Sequence, residues 1–182
     1  MSNFDEAVNY ILAREGGLSE NPNDSGGITN FGVSLRFLRE VPQDRLRRYS
    51  IFEPVTEQTI RDLVVEQAKT IYKGEFWNEA PFENIESQKL CNYYFDMAIV
   101  SGVHQATKLL QRSIWASQFD RTLLRDDGLL GERTVGYVNA IGEELLPILV
   151  AVRASFYRLI AELRPKDKAN LSGWLNRCYR VD

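Results

Sequence analysis

One histidine, His104, and two cysteines, Cys91 and Cys178, are all the chain offers toward soft-metal ligation or thiol chemistry. The two thiols stand alone, without a Cys-x-x-Cys pair or a neighbouring histidine, so no zinc ligand set exists. Their pattern favours two buried thiols over a disulfide. A Ser-His-Asp or Cys-His enzyme has no recognisable nucleophile beside His104, which reads as a surface or helix-capping residue. A basic stripe is also missing. The net charge of −3 withholds the electrostatic footprint of a nucleic-acid binder, and no nucleic-acid partner is expected. No uninterrupted apolar run approaches the roughly 20 residues of a membrane span, so no stable membrane insertion is expected. The opening stretch, MSNFDEAVNYILAREGG, has no cationic segment ahead of its apolar residues. It reads as a helix rather than a signal peptide, which predicts a chain that is cytoplasmic on synthesis. Gly 12 and Pro 6 are ordinary counts that exclude collagen-like or low-complexity sequence, and no fixed-period repeat is visible.

What is present is core material. The 182 residues are 44% hydrophobic and 26% charged, enough for one sizeable core, shared by one domain or two small modules. Charge is uneven: the chain up to Cys91 carries ten basic and fifteen acidic residues, the remainder twelve and ten. An anionic polymer meets its friendlier field in the second half. Phe4, Val8, Ile11 and Leu12 recur at helical spacing and Gly16-Gly17 stops the pattern, predicting a helix over about 3–15 that delivers Glu15 at its C-terminal end. A β-hairpin or irregular loop element is expected near residues 18–33, and beyond Ser34 almost everything reads helical. The expected segments are 35–40, 43–49, one long helix from Thr56 to Lys73, then 87–100, 102–117, 132–140, 144–163 and 169–179. The long helix places Ile60, Leu63, Val64, Ala68 and Ile71 on one face and ends at Gly74. The fold class is mainly α.

The chemistry concentrates in the first 30 residues. Cleaving a glycosidic bond requires a carboxylic acid still protonated near neutral pH and a second carboxylate across the sugar. Glu15, at a helix C-terminus on an apolar face, has the environment that raises a carboxyl pKa. Asp24 lies in a Gly/Asn/Pro loop suited to a wet, ionised carboxylate, and the Thr29 hydroxyl can orient a water. The same residues also read as a solvated helix end and an Asx-turn former. Asp96 is the alternative second carboxylate, with Glu20 behind it. Gly16, Gly17, Gly26 and Gly27 suit positive φ or close approach of the chain to a ligand. Tyr72, Tyr93 and Trp174 read as core aromatics, whereas Trp77 and Tyr94 are the candidates for stacking on sugar. The run Arg45-x-Arg47-Arg48 reads as a solvated helix face, and Asp127-Gly128-x-x-Gly131-x-x-Thr134 as a structural turn entering a helix.

The stretch Glu15-Gly16-Gly17-Leu18, then Pro22-x-Asp24-x-Gly26-Gly27-x-Thr29-Asn30-x-Gly32-Val33, resembles the signature of glycoside hydrolase family 108, the muramidases of phage endolysins and related bacterial cell-wall proteins. The resemblance continues through Ala68-x-x-x-Tyr72 and Trp77. It then passes into a helical module through Phe95-Asp96-x-Ala98, Ser101-Gly102, Leu109-Leu110-Gln111 and Gly173-Trp174-Leu175-Asn176-Arg177. It departs from the family at Leu18, where tyrosine is usual, and at Val100, where asparagine is usual. The resemblance implies a lysozyme-like fold, with residues 1–88 as the catalytic module and 89–182 as a peptidoglycan-binding-like module packed with it into one unit. It further implies cleavage of the β-1,4 bond between N-acetylmuramic acid and N-acetylglucosamine in peptidoglycan, after release or export of the chain. Glu15 is then the general acid, Asp24 the base and Thr29 the water-orienting group. Gly26, Gly27, Asn30, Trp77, Tyr94 and Asp96 are the expected substrate contacts, with no metal or cofactor and a monomer as the working state. A non-catalytic wall-binding or secretion-assisting protein is the reading from another class.

Overall fold

The computed structural model describes residues 1–14, 17–20 and 27–181. The chain divides into two compact units: Phe4–Glu79, and Met1–Asn3 together with Ala80–Asp182.

In the first unit, α1 (Phe4–Leu12) buries Ala7, Val8 and Ile11 and carries Asp5 and Glu6 in its first turn, where the helix dipole favours acids. It stops three residues earlier than its apolar pattern suggests. Arg14 N–H turns back to the Ile11 carbonyl (2.9 Å), and the Arg14 guanidinium lies over the Tyr10 ring, 3.4 Å from its centroid. The expected hairpin is present as β1 (Thr29–Asn30) and β2 (Val33–Ser34), antiparallel with Thr29 opposite Ser34 and Asn30 opposite Val33. Its two turn residues, Phe31 and Gly32, have φ of 50° and 76°, the left-handed pair that a tight two-residue hairpin needs to match strand twist. Ser34 then caps α2 (Leu35–Glu40) by accepting from Phe37 N–H, and α3 (Gln43–Arg48) follows.

The single helix expected from Thr56 to Lys73 is two: α4 (Glu57–Arg61) and α5 (Val65–Glu75). Thr56 and Thr59 form a reciprocal cap at the start of α4, and Gln67 accepts from Val64 N–H to cap α5. Between them Val64 is extended, at φ −100° and ψ 157°, and is 54% exposed instead of sharing the buried face of Ile60, Leu63, Ala68 and Ile71. Two adjacent β-branched residues, Val64 and Val65, lower the cost of a break there. Gly74 does not end α5. It lies inside the helix because a Cβ there would collide with the Tyr49 hydroxyl and stand 3.0 Å from its ring. Tyr49 donates to Glu75 at 2.6 Å, and Arg45 donates to the other oxygen of that carboxylate at 2.8 Å. Burial and the Glu75 carboxylate push the Tyr49 hydroxyl pKa well above its usual value. Arg45 is therefore not part of a uniform solvated face.

The second unit is helical: α6 (Gln88–Ser101), α7 (Val103–Gln118), α8 (Glu132–Ile141), α9 (Leu145–Leu163) and α10 (Leu171–Cys178). Gly102, at φ 79°, is the joint between α6 and α7. Cys91 and Cys178 are buried free thiols. Burial pushes the Cys91 pKa up to about 12 and raises that of Cys178. The turn before α8 is organised by Gln111 of α7. Its amide nitrogen donates to Asp127 Oδ1 (2.8 Å), the Leu129 carbonyl (3.1 Å) and Thr134 Oγ1 (3.3 Å), while its oxygen accepts from Gly128 N–H (3.0 Å). A Cβ at Gly128 would run into the His104 ring, so the lone histidine packs over this turn.

The helical run Glu132–Leu163 is, by length and composition alone, long and apolar enough to cross a membrane. Counting uninterrupted apolar residues misses this stretch because Arg153 and Arg158 break it. Arg153, near the middle of α9, is fully buried and ion-paired with Asp96 of α6 at 2.8 Å.

Two variants test these packing arguments. Gly74→Ala, which in an open helix stabilises, is expected to destabilise the chain by about 1–3 kcal/mol through overpacking against Tyr49, read by chemical denaturation. The Gln111 amide, and then Leu129 N–H, hold the Asp127 pKa below its ordinary value. A lowered folded-state pKa gives stability that is present above the unfolded pKa, about 3.9, and lost as pH falls through the folded value. The stability difference between the wild type and Asp127→Asn is therefore expected to close as the pH is lowered from 5 toward 3, and a constant difference across that range contradicts the assignment.

Candidate active site

Hairpin β1–β2 and the strand-like residue before it form the described part of the site. Ser19 and Thr29 exchange both backbone hydrogen bonds, Ser19 N–H to the Thr29 carbonyl at 2.8 Å and the reverse at 2.9 Å. The chain leaving at Glu20 and the chain returning at Gly27 are thus fixed as a pair of stems. Thr29 is half-buried, and its hydroxyl donates to the Gly27 carbonyl at 3.3 Å. Gly27 has φ of 73°, the left-handed backbone expected of it. At Gly17 a Cβ would meet none of the described residues within 4 Å. Glu15, Gly16, Asp24 and Gly26 lie outside the described residues.

Asn30 is not placed to meet sugar. It is 6% exposed, and its amide nitrogen donates to the Ile60 carbonyl (3.0 Å) and the Leu63 carbonyl (3.4 Å), filling the acceptors left by the break between α4 and α5. One residue on, the Tyr72 hydroxyl from α5 donates to the Phe31 carbonyl at 2.9 Å. On the outer side, Arg61 Nε donates to Glu20 at 2.8 Å and its Nη2 to Glu57 at 3.0 Å. The Glu20 hydrogen bond, then that of Glu57, raises the Arg61 pKa. Trp77 is 6% exposed and packs edge-on against Phe4, with centroids 5.3 Å apart, so its ring serves the core. Among the described residues, no group of three or more His, Cys, Asp or Glu side chains could hold a metal ion.

A family model described as Glycosyl hydrolase 108 matches residues 8–102, more than half of the chain. The chain belongs to the glycosyl hydrolase 108 family. No curated protein matches it. The solved structure of Brucella abortus SagA is similar in fold, with a TM-score of 0.65 and 21% sequence identity over 98% of this chain and 94% of that one. The glycosyl hydrolase 108 chain thus has a mainly α, lysozyme-like fold, and its family makes it a glycoside hydrolase whose substrate class is peptidoglycan.

The family match runs through α6, which carries Tyr94 and Asp96, and neither reaches solvent there. The Tyr94 hydroxyl is within 2.6 Å of Thr107 Oγ1, its ring packs on Phe82, and burial drives its pKa up. Asp96 holds two cations: Arg153 Nη2 at 2.8 Å on one oxygen, and Arg177 Nη2 and Nε at 2.6 and 2.9 Å on the other. Arg153 donates from Nε to Tyr157 (3.0 Å), and its guanidinium lies 5.1 Å from the Tyr93 ring centroid and 5.5 Å from that of Tyr157. Burial works against the charge of Arg153, and the Asp96 carboxylate overcomes it, holding the Arg153 pKa above the usual value. Tyr94 and Asp96 are therefore core residues rather than sugar contacts.

Sequence reasoning passed over Arg61 and Arg153, and met Gln111 only as part of the Leu109-Leu110-Gln111 motif. Arg153 had a signal: a cation between Leu149, Val150, Ala154 and Tyr157 on a helix whose apolar face is otherwise continuous. Arg61 had none, since its partner Glu20 lies 41 residues away in sequence. Asp96→Asn leaves Arg153 buried without its counter-charge, and it is expected to destabilise the chain by about 3–5 kcal/mol in urea unfolding. A change under about 1 kcal/mol means the ion pair is not the buried anchor described.

Proposed function

We propose that the chain is an N-acetylmuramidase that cleaves the β-1,4 bond between N-acetylmuramic acid and N-acetylglucosamine, with Glu15 as general acid, Asp24 as general base and Thr29 orienting the water. The family match carries this reading, because it brings peptidoglycan together with a Glu, Asp, Thr order in one short segment. The geometry at Thr29 supports it. Its hydroxyl proton is directed to the Gly27 carbonyl, so its oxygen lone pairs are what a water in the cleft meets. A water that gives one proton to Asp24 and hydrogen-bonds through the other to Thr29 turns its own lone pair toward the anomeric carbon. Glu15 protonates the departing glycosidic oxygen as the bond breaks, and attack from the opposite face inverts the anomeric centre.

Glu15→Gln preserves shape and removes the acid. Its turnover on purified sacculi is expected to fall by at least about a hundredfold with little change in folding, and the wild type is expected to release the α-anomer first, as seen by NMR before mutarotation. Near-normal clearing by Glu15→Gln refutes the acid assignment, and a β-anomer as first product refutes inversion.

A further inference from the structure

Attack by an oriented water demands that the Thr29 stem and the Glu20 stem, between which the chain runs through Asp24, keep a fixed register. A misplacement of about 1 Å costs on the order of a hundredfold in rate. Both stems are tied to the same five-residue helix. On the Glu20 side, Arg61 at the end of α4 donates from Nε to the Glu20 carboxylate at 2.8 Å and from Nη2 to Glu57, one turn back on the same helix, at 3.0 Å. On the Thr29 side, the carbonyls of Ile60 and Leu63 at the other edge of the same turn receive Asn30. The Ser19–Thr29 backbone pair closes the ring.

We propose that α4 is the anchor of the catalytic loop and that Arg61, acting through Glu20, is a positioning residue of the hydrolysis. This rests on the reading of Glu15, Asp24 and Thr29 given above. Stability does not explain the pair. The side chains of Arg61 and Glu20 are 36% and 52% exposed, and exposed ion pairs contribute little to folding. Two of the three guanidinium nitrogens of Arg61, Nε and Nη2, are engaged by Glu20 and Glu57, which leaves Nη1 as the nitrogen open to a substrate. What the pair does is fix where the backbone leaves Ser19 and Glu20 relative to Thr29.

The test uses the full chain and a double-mutant cycle on purified peptidoglycan. Arg61→Ala and Glu20→Gln are each expected to lower kcat about 10- to 100-fold, with KM within about twofold and the thermal midpoint nearly unchanged. The double variant is expected to be no slower than the slower single, because both break one connection. Arg61→Lys, which can still reach one carboxylate, recovers much of the loss. A second readout needs no turnover: hydrogen exchange at the Ser19 and Thr29 amides is expected to quicken about tenfold in Arg61→Ala. Wild-type kcat and wild-type exchange in Arg61→Ala overturn the proposal. A raised KM with unchanged kcat overturns it in favour of a substrate contact, and a Glu20→Gln loss far exceeding that of Arg61→Ala overturns it in favour of Glu20 as the base. If Glu15→Gln proves fully active, the mechanism fails by itself, and the exchange rates still decide whether α4 holds the stems.

Discussion

A helix that stops inside a folded unit must find donors for its last carbonyls, and at the end of α4 backbone N–H groups are joined by one side-chain amide, that of Asn30. Asn30 serves the two carbonyls exposed where α4 gives way to α5. Much of this unit follows from that contact. It requires the helix to break after Arg61, it seats the hairpin beside the break, and it sets the register in which Asn30 points inward and its neighbour Thr29 is left half-exposed. A hairpin of two-residue strands has too little pairing of its own to hold the Thr29 hydroxyl still. Here it is held to its surroundings twice: its own Asn30 side chain donates to the Ile60 and Leu63 carbonyls, and the Tyr72 hydroxyl donates to the backbone carbonyl of Phe31.

The second unit solves a different problem by a related means. Asp96, Arg153 and Arg177 put three charges in or near its core, at a desolvation cost that ion pairing only partly offsets. Arg153 reduces that cost by lying against the faces of Tyr93 and Tyr157, whose rings favour a cation. The carboxylate on α6 thereby ties α9 and α10 to one point. An apolar trio would hold these helices as firmly but could slide along the helix axes, whereas a carboxylate with a cation on each oxygen admits one register.

Periodicity was a good guide wherever a helix is held by its own apolar stripe. The segments around α2, α3 and α6 to α10 lie within about two residues of where their patterns place them. It failed where a distant side chain decides the backbone. Residues 56–73 carry an unbroken helical stripe, in which the Val64-Val65 pair is only a weak mark of a break, and the Asn30 amide that meets the Ile60 and Leu63 carbonyls there lies about 30 residues away. Gly74 has the form of a helix stop, but its lack of a side chain is used by Tyr49 from another helix. Trp77, Tyr94 and Asp96 were legible as large or charged residues at notable positions, and not as buried ones, because burial depends on which face the tertiary fold closes. Of the catalytic candidates, Thr29 is placed on a hairpin as its sequence context suggests, and Glu15 and Asp24 fall outside the described residues.

The two thiols carry a consequence for the chain's covalent chemistry. Cys91 and Cys178 are sealed in the helical unit, the first with its Sγ near the Phe82 carbonyl at 3.5 Å and the second near that of Val150 at 3.4 Å. With the Cys91 pKa pushed to about 12 and that of Cys178 raised, neither readily supplies the thiolate that attacks disulfides and reacts with oxidants. Buried thiols of this kind are poor substrates for oxidation in a reducing and in an oxidising medium alike.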